Sequence, residues 1–176
     1  MINFIACIDF RGLRGKNIHL ESKHHDKTIQ NFTQSYKDDF ISFKHNGSDK
    51  NLGLFINEHG KFLVFTEIFE EDRQVLINRL GINENFNIKD SELVMEFYLK
   101  FGATGMQCLS NGFVFILIDL IKKNVLAFRD HIGIKNVCYF ETFNSIYLSS
   151  SFKNLFNLKN KKFTLNLDKV NSFLSF

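Results

Sequence analysis

The chain has 176 residues, of which 44% are hydrophobic and 23% charged, the size and composition of one folded domain, which excludes an intrinsically disordered segment. Its net charge of +3 (22 Lys and Arg against 19 Asp and Glu) is too mild for a nucleic-acid surface, and no aromatic stacking pattern accompanies the densest basic stretch, Lys153, Lys159, Lys161 and Lys162. Three cysteines (Cys7, Cys108 and Cys138) form no C-x-x-C pair, which argues against a disulfide framework and against structural zinc.

Met1 leads into Ile2-Asn3-Phe4 without a basic leader, and no apolar run reaches membrane-spanning length. A cytoplasmic protein is expected, with neither membrane nor nucleic acid as partner. Phe4 to Phe10 is apolar and reads as a buried first strand, closed by the turn-rich Arg11-Gly12-Leu13-Arg14-Gly15. Residues 18–30 are polar. Their His24-His25-Asp26 lacks the second, spaced ligand pair that a metal site needs, and is read as surface. Thr28 to His45 alternates as one or two strands turning at Lys37-Asp38-Asp39.

The next unit is a hairpin, Leu52–Ile56 and Lys61–Phe65 flanking Asn57-Glu58-His59-Gly60. After Thr66-Glu67-Ile68-Phe69 the period becomes helical, with Val75, Leu76, Arg79 and Leu80 on one face and Gly81 as C-cap. A second helix is expected from Asp90 to Phe101, with Leu93, Val94, Phe97, Tyr98 and Phe101 as its apolar stripe and Gly102 as its stop. Phe113–Asp119 then reads as a fully buried strand, Lys122-Lys123-Asn124 as a tight turn and Val125–Asp130 as the return strand. Val137–Thr142 and Ser145–Ser150 make another hairpin, and Phe152, Leu155 and Phe156 a short amphipathic helix. Leu167–Phe176 begins a further helix. Antiparallel hairpins around two central helices indicate an α+β fold.

Several segments form an ordered set: Glu67-Ile68-Phe69, Asp90-Ser91-Glu92, Leu109-Ser110-Asn111-Gly112-Phe113, Arg129-Asp130-His131-Ile132-Gly133-Ile134-Lys135, Tyr139-Phe140 and Leu148-Ser149-Ser150-Ser151. This succession resembles the class II glutamine amidotransferases, and within them the N-terminal domain of asparagine synthetase and β-lactam synthetase. Residues 60–156 carry the likeness, and the first sixty residues match poorly.

The resemblance implies a four-layer α/β/β/α sandwich of the N-terminal-nucleophile hydrolase type, occupying residues 1–165. Residues 166–176 would then begin a linker or helix leading to a synthetase domain outside this chain. In that family an N-terminal Cys attacks the glutamine amide, with its own α-amino group as base. An Asn-Gly pair supplies oxyanion donors, an Arg holds the substrate carboxylate and an Asp its amino group.

Carried onto this sequence, position 2 holds Ile2, followed by Asn3, and neither is a nucleophile. Thr66 alone precedes Glu67 where the Asn-Gly pair is expected, and no segment resembles the family's His-Arg-Arg-Leu. Asp90 matches a substrate-binding position, although a helix N-cap explains it equally well. Thr66 and Asp90 are thus relic positions, and Glu67, Arg129, Asp130 and Gly133 are structural, with Arg129-Asp130 a charge pair shaping the turn.

A glutaminase-inactive scaffold is expected, packed on a synthetase domain in cis or on a partner subunit, with a homodimer also open. ATP and Mg would belong to that synthetase, with no cofactor and no metal in this chain. The alternative is an active glutaminase supplying ammonia through Cys7, if processing exposed Cys7 as the N-terminus. A third reading is an amino-acid-binding module at the residual Asp90 pocket.

Overall fold

A computed structural model of the protein describes residues 2–10, 34–83, 87–158, 164 and 166–174. The His24-His25-Asp26 segment and the Arg11–Gly15 turn lie outside the described residues. The elements in chain order are β1 (Phe4–Asp9), β2 (Gln34–Lys37), β3 (Ile41–His45), β4 (Leu52–Asn57), β5 (Gly60–Ile68), α1 (Glu70–Leu80) and α2 (Asp90–Gly105). A 3-10 turn (Met106–Cys108) follows, then β6 (Phe113–Asp119), β7 (Asn124–Arg129), β8 (Cys138–Glu141), β9 (Ser145–Ser149), α3 (Phe152–Phe156) and α4 (Leu167–Leu174).

The strands form two antiparallel sheets, β2-β3-β1-β9-β8 and β4-β5-β6-β7. Strand alternation sends side chains to opposite faces, so each sheet contributes to two cores. Between the sheets lie Phe4, Ala6, Ile8, Ile41 and Phe43 from the first, against Leu63, Phe65, Val114, Ile116 and Ile118 from the second. On the outer face of the second sheet, Val64, Phe115 and Leu117 meet Leu76 and Ile77 of α1 and Leu93, Val94 and Phe97 of α2. On the outer face of the first sheet, Ile5 and Cys7 meet Leu155 and Leu158. The molecule is therefore an α+β sandwich of layers α/β/β/α, as the resemblance implies.

β6 is buried along its whole length because it is a central strand covered on both faces, which accounts for its unbroken apolar run. α1 carries Glu70, Glu71 and Asp72 in its first turn and ends on Gly81, whose φ of 71° fits a residue without Cβ. Its buried face is Asp72, Leu76 and Ile77 rather than the expected stripe through Arg79.

α2 differs from expectation at Gly102, which breaks the helix with φ 65° and ψ −167° but does not end it. One more turn follows before the 3-10 turn, because glycine reaches that backbone conformation without a Cβ penalty. No helix among the described residues is long and apolar enough to cross a membrane.

Candidate functional site

Glu67 lies near the end of β5, on the face of the strand that carries Leu63 and Phe65 into the inter-sheet core. Its Oε2 accepts the backbone N–H of Ile2 at 3.1 Å, and its Oε1 pairs with the Lys135 ammonium. Both charged side chains are buried, and the Lys135 ammonium also lies 4.5 Å from the centroid of the Phe69 ring. One carboxylate thus joins Ile2, two residues ahead of β1, to the end of β5 and the loop that follows β7.

Beside it, Ile2 packs into a small cradle. A Cβ on Gly47 would stand 3.0 Å from Cδ1 and 3.1 Å from Cγ2 of Ile2, and 2.8 Å from Asn51 Oδ1. Asn51 is itself fully engaged. Its Oδ1 accepts from Ser48 N and Oγ, and its Nδ2 donates to the Thr66 carbonyl at 2.9 Å. The Thr66 backbone N–H donates to the Asn51 carbonyl at 2.9 Å, and the Thr66 hydroxyl donates to the Val114 carbonyl at 2.9 Å. Thr66 is completely buried, so both of its donors close the fold internally.

His45, at the end of β3, is buried against the Phe43 and Phe65 rings. Its Nδ1 accepts the Gly47 N–H at 3.1 Å, while Nε2 is buried without a hydrogen-bond partner among the described residues. Burial lowers its pKa below the ordinary histidine value against the opposing pull of Asp49, which favours the neutral ring.

Asp90 belongs to a separate cluster. It is the first residue of α2, and the N-cap position falls on Lys89, so the capping role expected of it is corrected. Its buried carboxylate instead takes Arg73 Nε at 3.0 Å and Lys50 Nζ at 3.1 Å. Arg73 is fixed further by donating to the Ile88 carbonyl at 2.9 Å. Each oxygen of this buried carboxylate thus already has a cationic partner within the fold.

The turn after β7 is built by Asp130. Its Oδ1 accepts from the backbone N–H groups of Gly133 (2.5 Å) and Ile134 (2.8 Å), and its Oδ2 from Lys135 (2.9 Å). Burial alone would raise this carboxyl. The N–H groups of Lys135, Ile134 and Gly133 outweigh it and hold the carboxyl below its usual range. No ion pair joins Asp130 to Arg129 among the described residues. The turn is shaped by backbone amides rather than by the expected charge pair, because Asp130 points under the turn while Arg129 stays exposed.

Cys7 sits mid-strand in β1, buried on the outer face of its sheet beside Leu155 and Leu158, opposite to the face occupied by Phe4 and Ala6. The fold does not bring it to Glu67, Thr66 or Asp90. Burial pushes the Cys108 and Cys138 thiols above their ordinary pKa, against smaller lowering influences that include the charges of Arg79 and Arg129 respectively.

Of the positions singled out from sequence, Thr66 and Glu67 are brought together with Ile2, while Asp90 and Cys7 each stand elsewhere. Lys135, Asn51, Lys50 and Arg73 were not singled out. Lys135 was legible as the last residue of the Arg-Asp-x-x-Gly-Ile-Lys segment, but the other three carry no local signature, since their partners are set by tertiary contacts. A family model described as a glutamine amidotransferase domain matches residues 66–176. No curated protein matches the chain.

Proposed function

The chain belongs to the glutamine amidotransferase domain family, and from that premise we propose that it is a glutaminase-inactive member serving as a scaffold for an asparagine-synthetase-like, ATP-dependent amide-forming partner. The observation that carries this reading is Ile2. It stands just before β1, where the resemblance places the nucleophile, and its side chain offers no lone pair to attack an amide. Its N–H is committed to Glu67, and its side chain fills the cradle at Gly47 and Asn51.

The remaining chemistry is consistent with loss of the reaction. The backbone donor at Thr66, the relic of the oxyanion pair, is satisfied by Asn51. Asp90, the relic of the amino-group site, is paired with Arg73 and Lys50. Loss of a nucleophile and of an oxyanion donor each costs orders of magnitude in rate.

In β-lactam synthetases the amine comes from the substrate itself, and the N-terminal domain persists without glutamine. The same arrangement here makes residues 1–165 the scaffold and 166–176 the approach to a synthetase domain, in cis or as a separate subunit. ATP and Mg would bind there. The exposed Leu167 of α4 is compatible with a helix awaiting such a neighbour.

Glutamate release from glutamine by the purified chain, with its N-terminus defined by intact mass, tests the reading. No release with residues 1–6 or 2–6 retained is expected. Release that disappears on Cys7→Ala, from a chain starting at Cys7, would overturn it in favour of a processed amidotransferase. That outcome also requires the sheet to survive loss of Phe4, Ile5 and Ala6, which are paired with β3 and β9.

A further inference from the structure

A groove of about 590 Å³ opens between the turns that follow Gly102 and the end of β7. Its apolar wall is formed by Met106, Leu109, Phe113 and Phe128, and its polar rim includes Arg129 and His131. No Asp or Glu lines it among the described residues. The volume lies within the range of small-molecule sites, which run from about 300 to 1,000 Å³.

We propose that this groove binds a small ligand with an apolar body and a singly charged anionic head, held by Arg129. Charge complementarity carries the assignment. Among the described residues, Arg129 is the one permanent cation of the lining, no carboxylate of the lining neutralises it, and it enters no ion pair.

The backbone beside the arginine is fixed. Asp130 locks the turn beneath it through three backbone N–H groups. The turn includes Gly133 at φ 81°, and a Cβ there would come within 3.5 Å of Arg129 Nη1. The Arg129-Asp130-x-x-Gly133 motif thus sets a guanidinium beside Gly133 at the mouth of an apolar groove. The opposite wall follows from the break at Gly102, which redirects Ala103, Thr104 and Met106 away from the straight course of α2. An apolar tail of moderate length on Met106, Leu109, Phe113 and Phe128 leaves its anionic end at the guanidinium fork.

The test uses sodium octanoate and octan-1-ol with the full chain labelled at its methionine methyl groups. Of the three methionines, Met106 lines the groove and Met95 lies in the helix-facing core, an internal control. Octanoate should shift the Met106 methyl signal saturably and leave Met95 unmoved. Octan-1-ol should bind about fivefold more weakly, and Arg129→Gln should weaken octanoate by about fivefold and abolish that difference. Equal binding of octanoate and octan-1-ol by the unaltered chain would overturn the proposal. So would the absence of a saturable Met106 shift, or octanoate affinity unchanged in Arg129→Gln.

Discussion

Asp130 accepts three backbone N–H groups with two oxygens, and it does so as an anion. Asp130→Asn keeps one acceptor oxygen and forfeits the charge, so a loss of about 1–3 kcal/mol is expected in denaturant unfolding. The folded-state pKa lies below the unfolded one, so this stabilisation is fully present above the unfolded value and disappears as pH falls through the folded one. Melting temperature should accordingly drop below about pH 4 in the parent chain, with a shallower drop in Asp130→Asn. Glu67 and Lys135 pose a different case, because both are buried and each neutralises the other. Lys135→Met strands a carboxylate and should cost about 3–5 kcal/mol, whereas Glu67→Gln in the same chain should return part of that loss. A double-variant loss equal to the sum of the losses of Lys135→Met alone and Glu67→Gln alone would show the pair to be uncoupled. Glu67 and Asp130 were visible in sequence through their motif. The partners of Asp90 were not, because Lys50 and Arg73 reach it from different elements and neither contact leaves a local pattern.

Strands and helices were legible wherever burial imposed a clean period. β6 shows as a solid apolar run and α2 as a stripe through Leu93, Val94 and Phe97, since each has one dominant environment. The Asn57–Gly60 hairpin was legible from turn chemistry, and Asn57 does pair with Gly60 across it. What sequence did not disclose was the continuation of α2 past Gly102. A glycine after an apolar stripe reads as a stop, yet tertiary contacts at Met106 and Leu109 draw the chain into another turn. Gly102→Ala meets no neighbouring atom within 4 Å, so its cost is conformational alone. With φ at 65°, a loss of about 1–2 kcal/mol is expected from chemical denaturation. A stabilising effect would mean that the break straightens into continuous helix.

Across the whole molecule, the layer order followed from the resemblance and not from composition, which pointed only to a domain with an aromatic core. Of the 22 phenylalanines, Phe4, Phe40, Phe43 and Phe65 meet where the sheets face each other. Phe65 lies 4.9 Å from Phe4 and 5.2 Å from Phe43 between ring centroids, and His45 packs against it at 5.6 Å. Phe65→Ala removes a ring shared by both sheets and should destabilise by about 3–5 kcal/mol, measured by urea titration. A cost below about 1 kcal/mol would indicate that the surrounding rings collapse into the space.

The two sheets also differ in how the chain supplies them. β4 to β7 come from one continuous stretch, residues 52–129, and pair with their neighbours in order along that sheet apart from the helical excursion of α1 and α2. β1, in contrast, lies between β3 and β9, so its second edge is closed by residues 145–149 from the other end of the described chain. During synthesis the first sheet therefore cannot be completed until β9 has left the ribosome, whereas the second has all its strands earlier. Nascent chains should acquire protease resistance in two stages, first over residues 52–129 and only afterwards at the amino terminus, where Phe4 and Ile5 wait longest for cover.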